Sequence, residues 1–356
     1  MMHFGVFIPQ GRRHDLVGID PTQHWGVMAG LARRADGIEA WSSLWVSDHV
    51  EPSPEPTQEA AHEAWTMLAA FAGVTGRIRL GLLSTSPARS NPARLAKVAA
   101  TVDVISEGRL DVALGVGGDE GEWRAYGYAV PPASERGARL AEETAILTEL
   151  WTSGRSTFTG RHYTTDGALC FPRPVQGTSS PGSSSGPVGG IPLWIAGSDA
   201  ASLATAAQHA DAVILPGNGD SFAAASAAFT AQCVAAGRDP ASIVRAAALD
   251  VVIGRDEREI RRRLAGIETR LREGGVSGSA ISACLAGYHR DGIVGTPGQV
   301  CTRLAAMRDD GLAHPLAYFP GAAYDPSGME LFERQVIPEF TDPDRHSPLW
   351  HVLTGR

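Results

Sequence analysis

The chain is poor in the groups that tie proteins to nucleic acid, membranes and structural metals. Lys and Arg number 31 against 39 Asp and Glu over 356 residues, a formal net charge of −8, and no basic block breaks that balance. Phosphate backbones are held by clustered cations, so the composition argues against nucleic acid as a partner. No apolar run reaches the roughly 20 residues that a bilayer crossing takes, so no membrane partner is expected. The four cysteines, Cys170, Cys233, Cys284 and Cys301, stand far apart with no CxxC or zinc spacing. They read as inert buried thiols of a reduced, cytoplasmic protein. Met1 to Val6 enters a strand pattern directly, with no signal peptide ahead of it.

What remains is ordinary globular material, 43% hydrophobic and 20% charged, enough for a sizeable core. Short apolar runs alternate with amphipathic stretches. Strands are expected at 3–9, 43–47, 78–84, 109–117, 191–197, 211–217, 245–254 and 315–321, each followed by a helical pattern. Pro92 and Pro297 sit at first helical turns, Thr296 and Ser134 read as N-caps, and Gly154 reads as a helix stop. Eight βα units over this length favour a (β/α)8 TIM barrel, with an open doubly wound sheet as the alternative. The first βα turn, "IPQGRRHDLVG", carries no GxGxxG, which weakens the dinucleotide-fold alternative. The rhythm breaks at 155–190, an insertion between strand four and strand five that ends in "GTSSPGSSSGPVGG". Residues 177–190 read as a surface loop, either a lid or disordered. The whole chain, 1–356, reads as a single domain.

In a barrel the chemistry sits at the carboxyl ends of the strands. Strand two runs without a turn into Ser47, Asp48 and His49. After strand four, Gly115, Gly117 and Gly118 let a flat body approach the backbone. After strand five, Ala196, Gly197 and Ser198 open a helix, an anion site through its N–H groups and dipole. A flat body with an anionic tail describes a flavin-like cofactor. The competing reading is a metal centre recruiting His3, Asp48, His49, His209 or Asp211. No HxH follows strand one and His209 ends a helix, so no metal ligand is assigned.

The chain resembles the luciferase-like flavin and deazaflavin oxidoreductases. The landmarks are "LWVSDH", "EAWTMLAAFAGVTGRIRLG", "RSNPARLAKVAATVDVISEGRLDVALGVG", "EWRAYGY", "PRPVQ", "PLWIAG", "HADAVILPG" and "GTPGQV", in this order over nearly the whole length. "FGVFIPQG", "VGIDP" and "PTQEA" make it similar to the branch that uses the deazaflavin coenzyme F420. The resemblance implies a barrel with its cofactor at the strand ends and a homodimer. It implies that Asp48 hydrogen-bonds the deazaflavin ring and that His49 handles a proton on the substrate side. Leu82-Leu83 would carry a non-prolyl cis peptide behind the ring, and Ser84 and Thr85 would line it. Gly115, Val116 and Gly117 would flank the ring and ribityl chain. Ala196, Gly197 and Ser198 would bind the phosphate, with Pro216 and Gly217 on the same side. Glu122, Trp123 and Tyr126 would either contact the tail or form a packed surface helix, and Arg89 would serve the tail or brace its loop. Relatives often carry aromatic residues where this chain has Gly118 and Asp119.

The implied activity is hydride transfer between F420 and a small organic substrate, with specialised metabolism as the expected setting. A monooxygenase using flavin mononucleotide (FMN) and a non-catalytic cofactor-binding barrel are the two alternatives.

Overall fold

The computed structural model describes residues 1–86, 91–176 and 190–341. Arg89 and most of the 177–190 loop therefore lie outside the described residues. The described chain forms eleven strands. They are β1 (Phe4–Phe7), β2 (Trp41–Ser47), β3 (Arg79–Thr85), β4 (Leu110–Gly115), β5 (Arg155–Ser156), β6 (Ala168–Leu169), β7 (Leu193–Ala196), β8 (Ala212–Leu215), β9 (Val244–Ile253), β10 (Ile293–Gly295) and β11 (His314–Tyr318). Eight of these, all but β5, β6 and β10, match the eight expected strands, and each is followed by helix. The fold is a (β/α)8 barrel. Its strands are short and apolar because parallel strands are covered on both faces, so each reads as a continuous hydrophobic run.

The chain divides into two compact units. The first holds Met1–Met67, Pro216–Ser226 and the residues from Ala246, with parallel strands in the order β10-β9-β11-β1-β2. Gly5 pairs with Leu316 and Ser43 across this sheet. A Cβ on Gly5 would meet the Leu316 side chain and Ser43 Oγ at 2.7 Å, so only glycine fits that layer. Buried Ser43 is satisfied by Trp45 Nε1 and His314 Nε2, each at 2.9 Å.

One feature of this unit departs from the expected plan. β9 pairs with β11 only through Asp250. Its last three residues, Val251–Ile253, continue further and pair with β10. Helices Glu257–Glu273 and Gly278–Arg290 lie between β9 and β10 in the chain. Val252, Ile267, Leu271, Val276, Ile281 and Tyr288 form a small core of their own there. The segment "DEREIRRRLAGIETRLREGG", expected as the helix of a plain βα unit, thus belongs to an added α-α-β layer. Helix Pro297–Asp309 is the one that leads into β11.

The second unit spans Leu68–Leu215 and Ala227–Arg245 among the described residues, with strands in the order β3-β4-β7-β8. Three of the sequence landmarks meet in it. Arg79 is paired with Asp111 at 2.7 Å, and Gln176 of "PRPVQ" donates to Asp103 (2.7 Å) and to the Leu110 carbonyl (2.8 Å). Gln176 in turn accepts from Arg79 at 3.1 Å. Burial pushes the Asp103 and Asp111 carboxyls up. After β4 come helices Glu120–Ala125 and Ala133–Ser153, then the antiparallel β5–β6 pair. Gly154 ends the long helix at φ +76°, as expected of a glycine stop. Ser134 is not its cap: the helix starts one residue earlier, behind Pro132, with no side-chain cap.

Candidate active site

In the first unit the site begins at Gln10, just past β1. Ser47 N–H donates to Gln10 Oε1 at 2.6 Å, and Gln10 Nε2 donates to the Ser47 carbonyl (3.0 Å) and the His62 carbonyl (2.9 Å). His62 N–H closes the loop onto the Gln10 carbonyl at 2.9 Å. One buried amide thus grips both backbone groups of the residue before Asp48. Asp48 is buried and His49 half-buried. His62 Nε2 and His24 Nδ1 lie 3.0 Å apart, and His24 Nε2 reaches the Ile19 carbonyl at 2.9 Å. Burial, then the neighbouring His24, push the His62 pKa down.

Beside Gln10 a small cavity is lined by Phe7, Ser47, Arg13, Asp15, Asp250 and Tyr318 among others. Arg13 pairs with Asp250 and lies 4.5 Å over the Tyr318 ring. Tyr318 donates to Asp15 Oδ2 at 2.8 Å, and Gly11 N–H donates to Oδ1 at 2.7 Å. Burial, reinforced by Asp15, holds the Tyr318 phenol well above its ordinary pKa, so it acts as a neutral donor. Burial opposes the Arg13 charge, but Asp250 with the nearby tyrosines outweighs it and raises the pKa. None of these four residues was singled out from the sequence. The sole signal was that "PQGRRHD" packs two cations and an acid directly after a buried strand. Pro216 and Gly217 follow β8, and a Cβ on Gly217 would come 2.2 Å from the Ala248 carbonyl. This glycine serves a close backbone approach to β9.

In the second unit three strand ends converge. A Cβ on Gly115 would meet Ser84 Oγ at 2.8 Å and the Ala196 carbonyl at 3.2 Å. The non-prolyl cis peptide is Leu83–Ser84, one bond later than the expected Leu82-Leu83. Leu82 pairs with Val112 but Thr85 with Leu114, so an extra residue bulges at 83–84. Two consecutive leucines gave the sequence no period to locate that bulge. Leu83 and Ser84 are half-buried, whereas Thr85 is 2% exposed. Its Oγ1 has no hydrogen-bond partner among the described residues. Such a hydroxyl is expected to meet a ligand or water, which fits a polar cofactor at this strand end.

The glycines after β4 correct the flat-body reading in part. Gly117, at φ +70°, is packed: a Cβ there would lie 2.4 Å from Ser86 Oγ and from the Trp123 ring. Val116 beside it is half-buried, and only Gly118 faces open space. Glu122 and Trp123 are buried and Tyr126 is exposed, in the helix capped by Asp119. Arg136 stacks 4.9 Å from Trp123, so this landmark is a packed surface helix.

The anion site expected at Ala196, Gly197 and Ser198 also changes. Gly197 N–H is bonded to the Ile214 carbonyl at 3.1 Å. The helix starts at Ala200, and the Asp199 carboxylate takes the N–H groups of Ala201 (3.1 Å) and Ser202 (3.0 Å). An acid therefore occupies the first-turn donors, and exposed Ser198 is the polar group left at that strand end.

Two of the groups weighed for a metal, His3 and Asp211, lie before their strands rather than at the strand ends. His3 precedes β1, at the end opposite Gln10, and burial followed by the terminal ammonium pushes its pKa down to about 4. Asp211 precedes β8 and accepts Leu193 N–H at 2.9 Å. Of the cysteines, Cys170 and Cys233 are buried as expected, but Cys284 and Cys301 are only half-buried. Burial pushes all four thiols up.

A family model for luciferase-like monooxygenases matches residues 2–314. The chain belongs to this family. Among relatives of this luciferase-like chain, the F420-dependent hydroxymycolic acid dehydrogenase of Mycobacterium tuberculosis is 28% identical over 304 residues, 83% of this chain and 79% of that one. The phthiodiolone/phenolphthiodiolone dimycocerosates ketoreductase of Mycobacterium kansasii is 31% identical over 278 residues, 72% of this chain and 71% of that one. The coenzyme F420-dependent tetrahydromethanopterin reductase of Methanopyrus kandleri superposes with a TM-score of 0.72 at 20% identity, covering 96% of this chain and 99% of that one. That likeness carries the (β/α)8 fold. Among the described residues, no helix is long and apolar enough to cross a membrane.

Proposed function

We propose that this luciferase-like chain is an F420-dependent oxidoreductase that interconverts a hydroxyl and a carbonyl on a small organic substrate. The observation that carries this is the alignment along most of both chains with a relative named as an F420-dependent dehydrogenase. The second relative is named as a ketoreductase, which supports the same alcohol–ketone couple. The unpartnered Thr85 hydroxyl supports a ligand at the end of β3.

When bound, the deazaflavin supplies a ring carbon that accepts or returns a hydride. The chain supplies position and proton handling. Gln10 fixes the backbone of Ser47, so Asp48 and His49 leave β2 in one direction. Asp48 would hold the bound ring by a hydrogen bond. His49 takes the hydroxyl proton during oxidation and gives it back during reduction, a general acid–base task that an imidazole can perform. Leu82, Leu83, Ser84 and Thr85 would line the ring's side of the site together with Gly115 and Val116, while Gly117 is closed off by Ser86 and Trp123. With the first-turn N–H groups taken by Asp199, Ser198, beside Ala196 and Gly197, would be the polar group that holds the phosphate. Pro216 and Gly217 contribute backbone.

The test is a side-by-side absorbance titration of the purified chain with F420 and FMN, followed by turnover of His49→Ala. The expected result is preference for F420, with His49→Ala losing turnover at least about 100-fold at near-normal coenzyme affinity. Preference for FMN would replace this reading by the monooxygenase one. Unchanged turnover in His49→Ala would remove the proton role.

A further inference from the structure

A second cavity lies within the first unit and shares no lining residue with the cavity beside Gln10. It is a cavity of about 160 Å³ between helix Glu257–Glu273 of the added layer, the end of β9, and the loop and helix that follow β11. Its walls include Val251, Ile253, Phe319 and Met329, all buried and apolar. Its charged lining is Arg262, Arg263 and Arg270 against a single carboxylate, Asp325.

The three cations are not equivalent. Arg263 is a strut: it donates to Glu259 (2.8 Å) and Ser327 Oγ (2.7 Å) and lies 3.4 Å from Asp325. Arg262 is two-thirds exposed and reaches Glu259 only at 3.5 Å. Arg270 is different. Its guanidinium lies 4.7 Å over the Tyr324 ring and donates one bond, to the Pro320 carbonyl at 3.1 Å. No carboxylate among the described residues is within ion-pair distance of it. A guanidinium has five N–H donors in a planar fork, so most of this one is unused. Gly266, one turn before it, leaves the space beside its Nη1 open: a Cβ there would stand 3.4 Å away.

A half-buried cation without a counter-charge, facing an apolar-walled void, is complementary to an anionic head on an apolar body. Glu259, shared with Arg255, and Asp325 both sit on Arg263, so the cation left facing the void is Arg270, enough for a single anionic head. We propose that this cavity binds a monoanionic organic acid, its carboxylate held bidentately by Arg270 and its hydrocarbon against Val251, Ile253, Phe319 and Met329. The site is independent of the coenzyme reading.

The test is calorimetric titration of the full chain with hexanoate and, separately, inorganic phosphate, in a low-salt buffer free of other anionic ligands. Hexanoate should saturate at one site per chain and bind more tightly than phosphate, which has no apolar body. Arg270→Gln removes the charge, and Gly266→Leu fills the space beside the guanidinium while keeping the charge. Each should weaken hexanoate by at least about tenfold, the cost of one charge-assisted hydrogen bond. Both variants should titrate F420 as the parent does. Absence of saturable hexanoate binding, tighter binding of phosphate, or hexanoate affinity unchanged in both variants would each overturn the assignment.

Discussion

Gln10 reaches the Ser47 backbone with both ends of its amide, and that geometry makes it a positioning residue for the two side chains that follow. Gln10→Ala leaves the Ser47 N–H and two carbonyls without their partner, at about 1–3 kcal/mol for each buried group left unpaired. Gln10→Glu separates position from bulk. The carboxylate still accepts from Ser47 but donates to neither carbonyl, so both variants should lower kcat at least about tenfold with KM little changed. A general stability role alone would lower Tm and leave kcat of the folded fraction intact. Asp211 offers a second residue-level test. It is 6% exposed, its Oδ1 has no partner among the described residues, and burial raises its pKa to about 6. The folded chain therefore holds this proton more tightly than the unfolded chain does. That stabilisation is complete below the ordinary carboxyl pKa and is lost as pH rises through about 6. Asp211→Asn keeps an oxygen for Leu193 N–H and cannot ionise. Its stability relative to the parent should rise by on the order of 2–3 kcal/mol between pH 4 and 7. A flat difference across that range in denaturant titrations would refute the buried-acid account.

At the scale of elements, local chemistry predicted best. "TPGQ" reads as a helix start, and Gln299 does reach back to Thr296 N–H at 2.8 Å. Gln299→Ala should cost about 1 kcal/mol, read as a shift in denaturant midpoint at constant slope. The eight barrel strands were legible for the same reason: each is a short apolar run bounded by turn residues, and burial on both faces demands that pattern. Periodicity gives an element's type but not its address. The helix of "DEREIRRRLAGIETRLREGG" was recognised, yet nothing in its spacing tells that β9 outruns β11 by three residues and carries an extra layer. The next helix, "GSAISACLAGYHR", fully buries only Ile281 and Tyr288, too few apolar anchors to mark it in the sequence. At the candidate site, Asp48 and His49 stood out because polar groups rarely continue a buried strand. Gln10, Asp15, Asp250 and Tyr318 did not, since their importance lies in contacts between residues up to 303 positions apart. Asp199 was passed over because "AGSDAAS" reads equally as an anion-binding turn and as an Asp-capped helix.

Across the whole molecule, the first unit is assembled from both ends of the chain, and this makes a sharp prediction about where it can be cut. The family match stops at residue 314, where β11 begins. Yet β1 pairs with β11 through Gly5–Leu316 and Val6–Ala317, and Met2 N–H bonds the Phe340 carbonyl. Phe4 and Trp41 pack against Phe332 with ring centres 5.8 and 6.0 Å apart, and Phe319 lies 5.4 Å from the same ring. Glu333 receives both Arg34 nitrogens at 2.6 and 2.7 Å and Trp41 Nε1 at 2.6 Å. A chain ending at Ala313 loses all of these partners at once. Leu316, Phe319, Phe332 and Phe340 are each 7% exposed or less, and their burial alone is worth on the order of 6–12 kcal/mol. That equals most of the roughly 5–15 kcal/mol by which a folded protein exceeds its unfolded chain. The 1–313 fragment should therefore show no cooperative thermal transition and should expose Trp41 to solvent quenchers, although it retains almost everything that the family pattern covers. A cooperative transition near the parent Tm would mean that the N-terminal strands hold together without the C-terminal aromatic cluster.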